Sequence, residues 1–147
     1  MFYNRSVSVK TFKYRLYPSR SQQRLLEQTL ETCRHWYNAC LEERKTAWEN
    51  RRESIGKNAQ LCKVEILKDS NPYAEKVYSH ILQIVVQDLD KAFKAFFRRV
   101  KAGETPGYPR FKGRNRFDSF GLKEYGNGFK LDGRRLKLSG IGRVRVH

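Results

Sequence analysis

Two long apolar stripes at helical spacing constrain this chain more than anything else in it. Leu25, Leu26, Leu30, Cys33, Trp36, Tyr37, Cys40, Leu41 and Trp48 recur three and four residues apart, which places them on one helix face. Ile81, Leu82, Val85, Val86, Leu89, Phe93, Phe96, Phe97 and Val100 do the same. The spacing predicts one helix from the Ser19 region to about residue 50 and a second over roughly Ser79 to Ala102. Ser19 and Gln22 have the spacing of a capping box, with Ser21 a competing N-cap. Gly103 suits the C′ position, and Arg98, Arg99 and Lys101 sit where the helix dipole favours cations. Glu42, Glu43, Arg44, Lys45 and Glu49 read as a solvated, ion-paired outer face. The two stripes are expected to bury against each other as an antiparallel helix pair.

Both flanks read as β structure. In residues 7–17, Val7, Val9 and Thr11 share one parity and Phe12, Tyr14 and Leu16 the other. That switch predicts a strand with a bulge near Thr11, and Lys13, Arg15 and Tyr17 then line the face opposite Phe12. Phe129 and Leu131 alternate, Asp132-Gly133 has the composition of a two-residue turn, and Leu136 and Leu138 alternate again. Lys130, Arg135 and Lys137 fall on the outer face of this hairpin. Ser119, Phe120 and Leu122 suggest a strand before it, and Val144 and Val146 one after it. Between the helices, residues 51–60 read as a loop, Leu61 to Lys68 as a short helix, and Asn71-Pro72 as a break and restart. The fold class is α+β: a sheet or open barrel interrupted by a helical insert.

The charge points to a polyanionic partner. The net charge is +16 and the isoelectric point about 10.1. Residues 98–147 hold 14 Lys/Arg against four Asp/Glu, so most of the excess lies in the last third. Aromatic residues make up 13% of the chain, which argues for a packed core and against a disordered basic tail. No apolar run approaches membrane-spanning length, and residues 1–20 carry no signal-peptide core. Cys33, Cys40 and Cys62 form no CxxC pair and read as buried free thiols of a cytoplasmic protein.

Gly107-Tyr108-Pro109-Arg110-Phe111-Lys112 alternates rings and cations in a stiffened loop, with Arg114 and Arg116 close behind. Rings stack on bases, and Arg and Lys neutralise phosphates. Phe111 alone reads as a core plug; the run as a whole reads as nucleic-acid contact. Arg34, Asn38, Gln83 and Gln87 reach base edges or sugars, or are plain polar helix surface. With Lys13, Arg15, Arg98, Arg99 and Tyr108 they make up the candidate contact set. No cofactor, metal ligand set or catalytic residue is expected. Asp88 and Asp90, two apart on a helix, do not converge on a cation and read as solvated or hydrogen-bonding side chains. His35, His80 and His147 show no metal spacing, and His35 reads as a surface or interface residue. Gly126-Asn127-Gly128 reads as a turn.

Several stretches in order resemble one family. They are Lys10-Thr11-Phe12-Lys13-Tyr14-Arg15-Leu16-Tyr17-Pro18, Arg34-His35-Trp36-Tyr37-Asn38, the run from Leu89 to Arg99, Gly107 to Lys112, Ser119-Phe120, and Ile141 to Val146. Together they resemble the N-terminal part of the OrfB/TnpB proteins of bacterial insertion sequences. The resemblance implies a transposon-encoded, RNA-guided DNA endonuclease related to type V CRISPR effectors. It also implies a wedge β-barrel interrupted by a helical recognition lobe, which holds guide RNA and reads duplex DNA beside the target. On that footing residues 1–18 are a first wedge segment, 19–103 the recognition lobe and 104–147 a second wedge segment. Leu138-Ser139-Gly140-Ile141-Gly142 departs from the family's Leu-Pro-Lys-Ile-Gly type of run, so the barrel is expected to be incomplete or altered. The family's RuvC-like cutting region would lie beyond His147. A binding module without its own catalytic site is therefore expected. The alternatives are a folded remnant with nonspecific polyanion binding, or a subunit completed by a separate RuvC-like nuclease chain.

Overall fold

The computed structural model describes residues 9–147. Helix α1 spans Arg20–Arg51. Its start is the capping box: the Ser19 hydroxyl accepts from the Gln22 amide at 3.3 Å, and Gln22 Oε1 accepts from the Ser19 amide at 3.0 Å. Three short helices follow, α2 (Lys57–Leu61), α3 (Lys63–Ser70) and α4 (Pro72–Glu75). Asn71 ends α3 and caps α4, its side chain accepting from the Tyr73 and Ala74 amides. Helix α5 spans Ser79–Ala102 and stops at Gly103, whose φ of 71° is the left-handed C-terminal cap.

The two long helices pack in the same direction, which corrects the antiparallel expectation. Trp36 Nε1 donates to the Leu82 carbonyl at 3.1 Å, and Arg44 reaches Asp90 at 3.3 Å. The partner on α5 thus advances as α1 advances. The cause is the connection. Antiparallel neighbours need only a short loop, whereas residues 52–78 form a helical return path. Gln60 of α2 bonds the Cys40 carbonyl at 2.8 Å, Lys63 of α3 pairs with Glu43, and Tyr73 of α4 lies beside Gln28. The chain is thereby carried back to the start of α1 before α5 begins. This layout also makes residues 57–60 helical rather than loop, because Gln60 is buried between Arg44 and Cys40.

Cys33, Trp36, Tyr37, Leu41, Leu82, Val86 and Leu89 form the centre of the core, and Phe117, Phe120 and Leu122 pack over it. The expected strand at Ser119–Leu122 is absent; that segment lies across the helices, where side-chain burial replaces strand pairing. Arg44 is 8% exposed and lies under the core's edge, not on the outer face. Asp90 is buried as its partner rather than solvated. Cys33 and Cys40 are buried as expected, whereas Cys62 is exposed, between α2 and α3. No helix among the described residues is long and apolar enough to cross a membrane.

Four strands, β1 (Leu16–Tyr17), β2 (Phe129–Asp132), β3 (Arg135–Leu138) and β4 (Gly142–Val146), form an antiparallel sheet in the order β1-β4-β3-β2. The first and last parts of the chain share this sheet, as expected. The strand over 7–17 is nevertheless reduced to two residues. Val7 lies outside the described residues. Residues 9–15 carry no strand and no bulge at Thr11, because the register sets Leu16 against Val146, and the His147 amide donates to the Arg15 carbonyl at 3.0 Å. Beyond that bond no described strand continues the ladder, and a strand without a partner is not held. The hairpin turn is Gly133-Arg134 rather than Asp132-Gly133, since Asp132 pairs with Arg135. Gly133 has φ 59°, the conformation a two-residue turn wants from glycine at its first central position. Gln22 Nε2 donates to the Arg143 carbonyl at 2.7 Å and fastens β4 to the start of α1.

Candidate nucleic-acid interface

After Gly103 the chain folds back over the helix pair and is anchored at three points. The Tyr108 ring stands edge-on to Phe93 and Phe96, with centroids at 5.5 and 5.3 Å. Asn38 grips Lys112: its Oδ1 accepts from the Lys112 amide at 2.8 Å, and its Nδ2 donates to the Lys112 carbonyl at 2.9 Å. Arg34 donates to the same carbonyl at 3.0 Å. The Phe117 ring tilts against Tyr37 at 6.0 Å. A turn closed by the Arg116 amide and the Gly113 carbonyl at 3.0 Å separates the last two anchors, with Asn115 left-handed at φ 63°. These anchors leave Arg110, Arg114 and Arg116 exposed. The Lys112 ammonium lies 5.6 Å from the centroid of Tyr37, and the residue as a whole is half-buried.

Electrostatics around the clamp are set by Glu31. Its hydrogen bond from Arg34 holds the carboxyl below its ordinary range, against the opposing effect of burial, with the charges of Arg34, His35 and Arg114 helping. His35 pairs with Glu31 at the surface. Burial pushes the Tyr37 and Tyr108 hydroxyls up, with Asp88 and Glu49 adding to it respectively.

Arg34 and Asn38 therefore meet the loop: Asn38 bonds its backbone, and Arg34 is divided between that backbone and the Glu31 carboxylate. Gln83 accepts from Lys123 Nζ at 2.6 Å, and Gln87 is half-buried on α5. Arg98 and Arg99 lie on the last turns of α5, the first exposed and the second half-buried. Lys13 and Arg15 are exposed beside the sheet, with Arg15 5.9 Å from the Tyr17 ring, and do not join the loop. Phe111 is exposed under Lys45 at 5.8 Å, so it is not a core plug.

The sheet carries a second basic face that sequence reasoning only half found. Register sets Lys130 opposite Lys137 and Lys137 opposite Arg143, then Arg135 opposite Arg145. All five are exposed. Asp132, which reaches Arg143 at 3.8 Å, is the acid on that face of β2–β4. The alternation of Arg143 and Arg145 was visible in the sequence, but only register shows cations stacked across three strands. Like charges directly opposite destabilise a sheet. Among the described residues no group of three His, Cys, Asp or Glu side chains is placed to hold a metal ion.

Residues 9–53 match the helix-turn-helix domain of OrfB proteins. The chain is 30% identical over 148 aligned positions to "Putative RNA-guided DNA endonuclease InsQ" of Escherichia coli K12, covering 93% of this chain and 33% of that protein. It is 32% identical over 109 positions to a "Putative RNA-guided DNA endonuclease" of Streptomyces pristinaespiralis, covering 73% of this chain and 26% of that one. The chain is similar to the OrfB/TnpB family. It corresponds to the N-terminal part of an OrfB/TnpB protein and spans a third or less of the length of these curated relatives. Within the matched span the structure has one unbroken helix, Arg20–Arg51, preceded by the β1 stub. A second helix facing α1 comes from α5, far outside that span.

Proposed function

We propose that this chain is the nucleic-acid-binding N-terminal module of a TnpB-like RNA-guided DNA endonuclease. It binds guide RNA and duplex DNA beside the target and carries no cutting site of its own. The sheet acts as wedge segments at residues 1–18 and 104–147, and residues 19–103 act as the recognition lobe. Cleavage belongs to a RuvC-like region, in the same polypeptide or in a partner chain, and the module works in the cytoplasm. The observation that carries the reading is the cross-strand stack of cations on β2, β3 and β4. A row of opposed Lys and Arg costs stability in the free protein, and a phosphate backbone removes that cost. The names of the two relatives and the strand–helices–strands order support it.

The test is a salt titration of binding to structured RNA and to duplex DNA, comparing the parent chain with Lys137→Gln/Arg143→Gln/Arg145→Gln. Each duplex phosphate contact adds about −0.9 to the slope of log K against log salt. The triple variant should flatten the slope by roughly two to three units while melting no earlier than the parent. An unchanged slope on both ligands removes the sheet face from the interface.

A further inference from the structure

We propose that an aromatic recess between the C-terminal ends of α1 and α5 is a site for one unpaired nucleobase of a single-stranded nucleic acid. The inference rests on the nucleic-acid reading above and adds where a base is held. The recess has a volume of about 330 Å³ and is walled by Trp48, Ile55, Phe93, Phe96, Phe97 and Tyr108. That volume is within the roughly 300–1,000 Å³ of small-molecule sites. Arg44 and Trp48 from the last turns of α1, residues 53–55 that follow it, and the rings of α5 form its walls, with Tyr108 closing one side. Phe97 is 58% exposed, Trp48 51% and Tyr108 42%. Phe96 and Phe97 stand 5.3 Å apart, and Phe93 stacks on Phe97 at 6.4 Å.

Three features favour a base over an apolar side chain of another protein. One lip sets a cation against a ring: the Arg52 guanidinium lies 5.5 Å from the Trp48 centroid, and the neighbouring Glu53 carboxylate is paired with Arg51. A ring paired with a cation is what a nucleotide, with its base and its phosphate, requires. The wall is not wholly apolar either: Ser54 and Glu53 reach the recess, and a hydroxyl and a carboxylate suit the polar edge of a base. Finally the floor is rigid. Arg44 lies 5.0 Å from the Phe93 centroid and is bonded to Asp90 and Gln60, and Phe93 in turn packs on Phe97 and Tyr108, so the rings brace one another before anything binds. Arg52 itself is left-handed at φ 53°, uncommon for a non-glycine residue, and this conformation caps α1 at the lip of the recess.

The test uses the tryptophan fluorescence of the full chain. Trp36 is buried with its Nε1 bonded to Leu82, so Trp48 is the tryptophan open to a ligand. The probes are a single-stranded oligonucleotide and an abasic oligomer of equal length and charge. The base-bearing strand should quench Trp48 and bind about tenfold or more tighter than the abasic one. Read by the anisotropy of dye-labelled probes, which needs no tryptophan, Trp48→Leu and Phe97→Leu, both at exposed positions, should each abolish most of that preference and leave the salt slope unchanged. Equal binding of the two probes, or a preference that survives both substitutions, overturns the site. Failure of the underlying reading looks different: neither probe would then bind with salt-dependent affinity.

Discussion

Asn38 brackets the backbone of Lys112 as a strand would, accepting from its amide at 2.8 Å and donating to its carbonyl at 2.9 Å. One carboxamide thereby satisfies both polar groups of a loop residue that has no strand beside it. The same residue type is common at polar helix surfaces, which is why the sequence alone left its role open. In the structure its task is to place the loop, and the loop's arginines are what remain facing solvent.

Asn38→Ala should therefore cost about 2 kcal/mol, near 1 for each partly buried bond. Asn38→Asp keeps the acceptor and loses the donor, so it should fall between parent and alanine. Urea denaturation measures both, and amide exchange at Lys112 should accelerate in the alanine variant well before global unfolding. Exchange no faster than in the parent would mean that the clamp does not hold the loop.

Asp90 offers a pH test. Burial pushes its carboxyl up, but hydrogen bonds from Lys94 and Arg44, with their charges, outweigh this and hold it below its ordinary range. A depressed folded value contributes stability that is present above the unfolded value, 3.8, and is lost as pH falls through the folded value. Asp90→Asn should destabilise the chain by about 3 kcal/mol at pH 7, because Arg44 is left buried without its counter-charge. The gap between variant and parent should close as pH drops below about 4. A gap that stays constant from pH 7 to pH 3 would show that the charge of Asp90 contributes nothing.

Much of this fold was legible. Periodicity located α5 to the residue, the Ser19–Gln22 box located the start of α1, and Asn71-Pro72 located the restart. What failed was what local pattern cannot carry. The direction of α5 relative to α1 depends on where residues 52–78 travel, and their route is fixed by Gln60 and Lys63 reaching back to Cys40 and Glu43. Arg44 sits among Glu42, Glu43 and Lys45 in sequence and looks solvated, yet its partner is 46 positions away. The strand at 9–15 failed because alternation describes a surface that suits pairing, and pairing needs a ladder partner. In the loop after α5, Arg110, Arg114 and Arg116 are exposed. Arg34 and Asn38 turn to the backbone of Lys112, a contact the sequence could not show because a polar helix position reads the same whether it faces solvent or a backbone.

Thiol chemistry should separate the cysteines. Burial pushes Cys33 and Cys40 up to about 12, so at pH 8 only about one thiol in ten thousand is ionised at each. Cys62 is exposed. Under native conditions one thiol should react promptly with a disulfide reagent at pH 8, and all three after denaturation. Cys62→Ser should abolish the fast phase. Two or more fast thiols in the parent would place Cys33 or Cys40 outside the core.

Gly128 tests how the sheet meets the helices. Its φ is 92°, and a Cβ there would lie 2.6 Å from two carbons of the Tyr78 ring and 2.9 Å from Leu122 Cδ2. The Ser139 amide bonds its carbonyl at 2.8 Å, so the glycine cannot withdraw without releasing β3. Gly128→Ala should therefore cost at least about 2 kcal/mol, by overpacking and by left-handed strain together. Gly103→Ala, with a φ of 71° and no atom within 4 Å of the added Cβ, carries the strain alone. The smaller loss in Gly103→Ala isolates the packing share, and equal losses would mean that Tyr78 yields freely.

The loop's cations differ in what holds them, and that difference predicts unequal effects. Lys112 is anchored through its backbone, and its ammonium lies over Tyr37, whereas Arg110 and Arg114 extend into solvent. If the loop meets duplex phosphates, Arg110→Ala with Arg114→Ala should flatten the salt slope by about two units. Lys112→Ala should flatten it by less than one, since its charge is already engaged with a ring. Tyr108→Leu acts through stacking, so it should weaken binding to single strands and leave the slope alone, because stacking releases no counterions. Its melting temperature must be measured alongside, as the ring also packs on Phe93 and Phe96. Salt titrations of the folded variants decide the matter. A slope that Arg110→Ala with Arg114→Ala leaves unchanged on both RNA and duplex DNA takes this loop off the binding face and leaves the sheet's cation stack to account for binding.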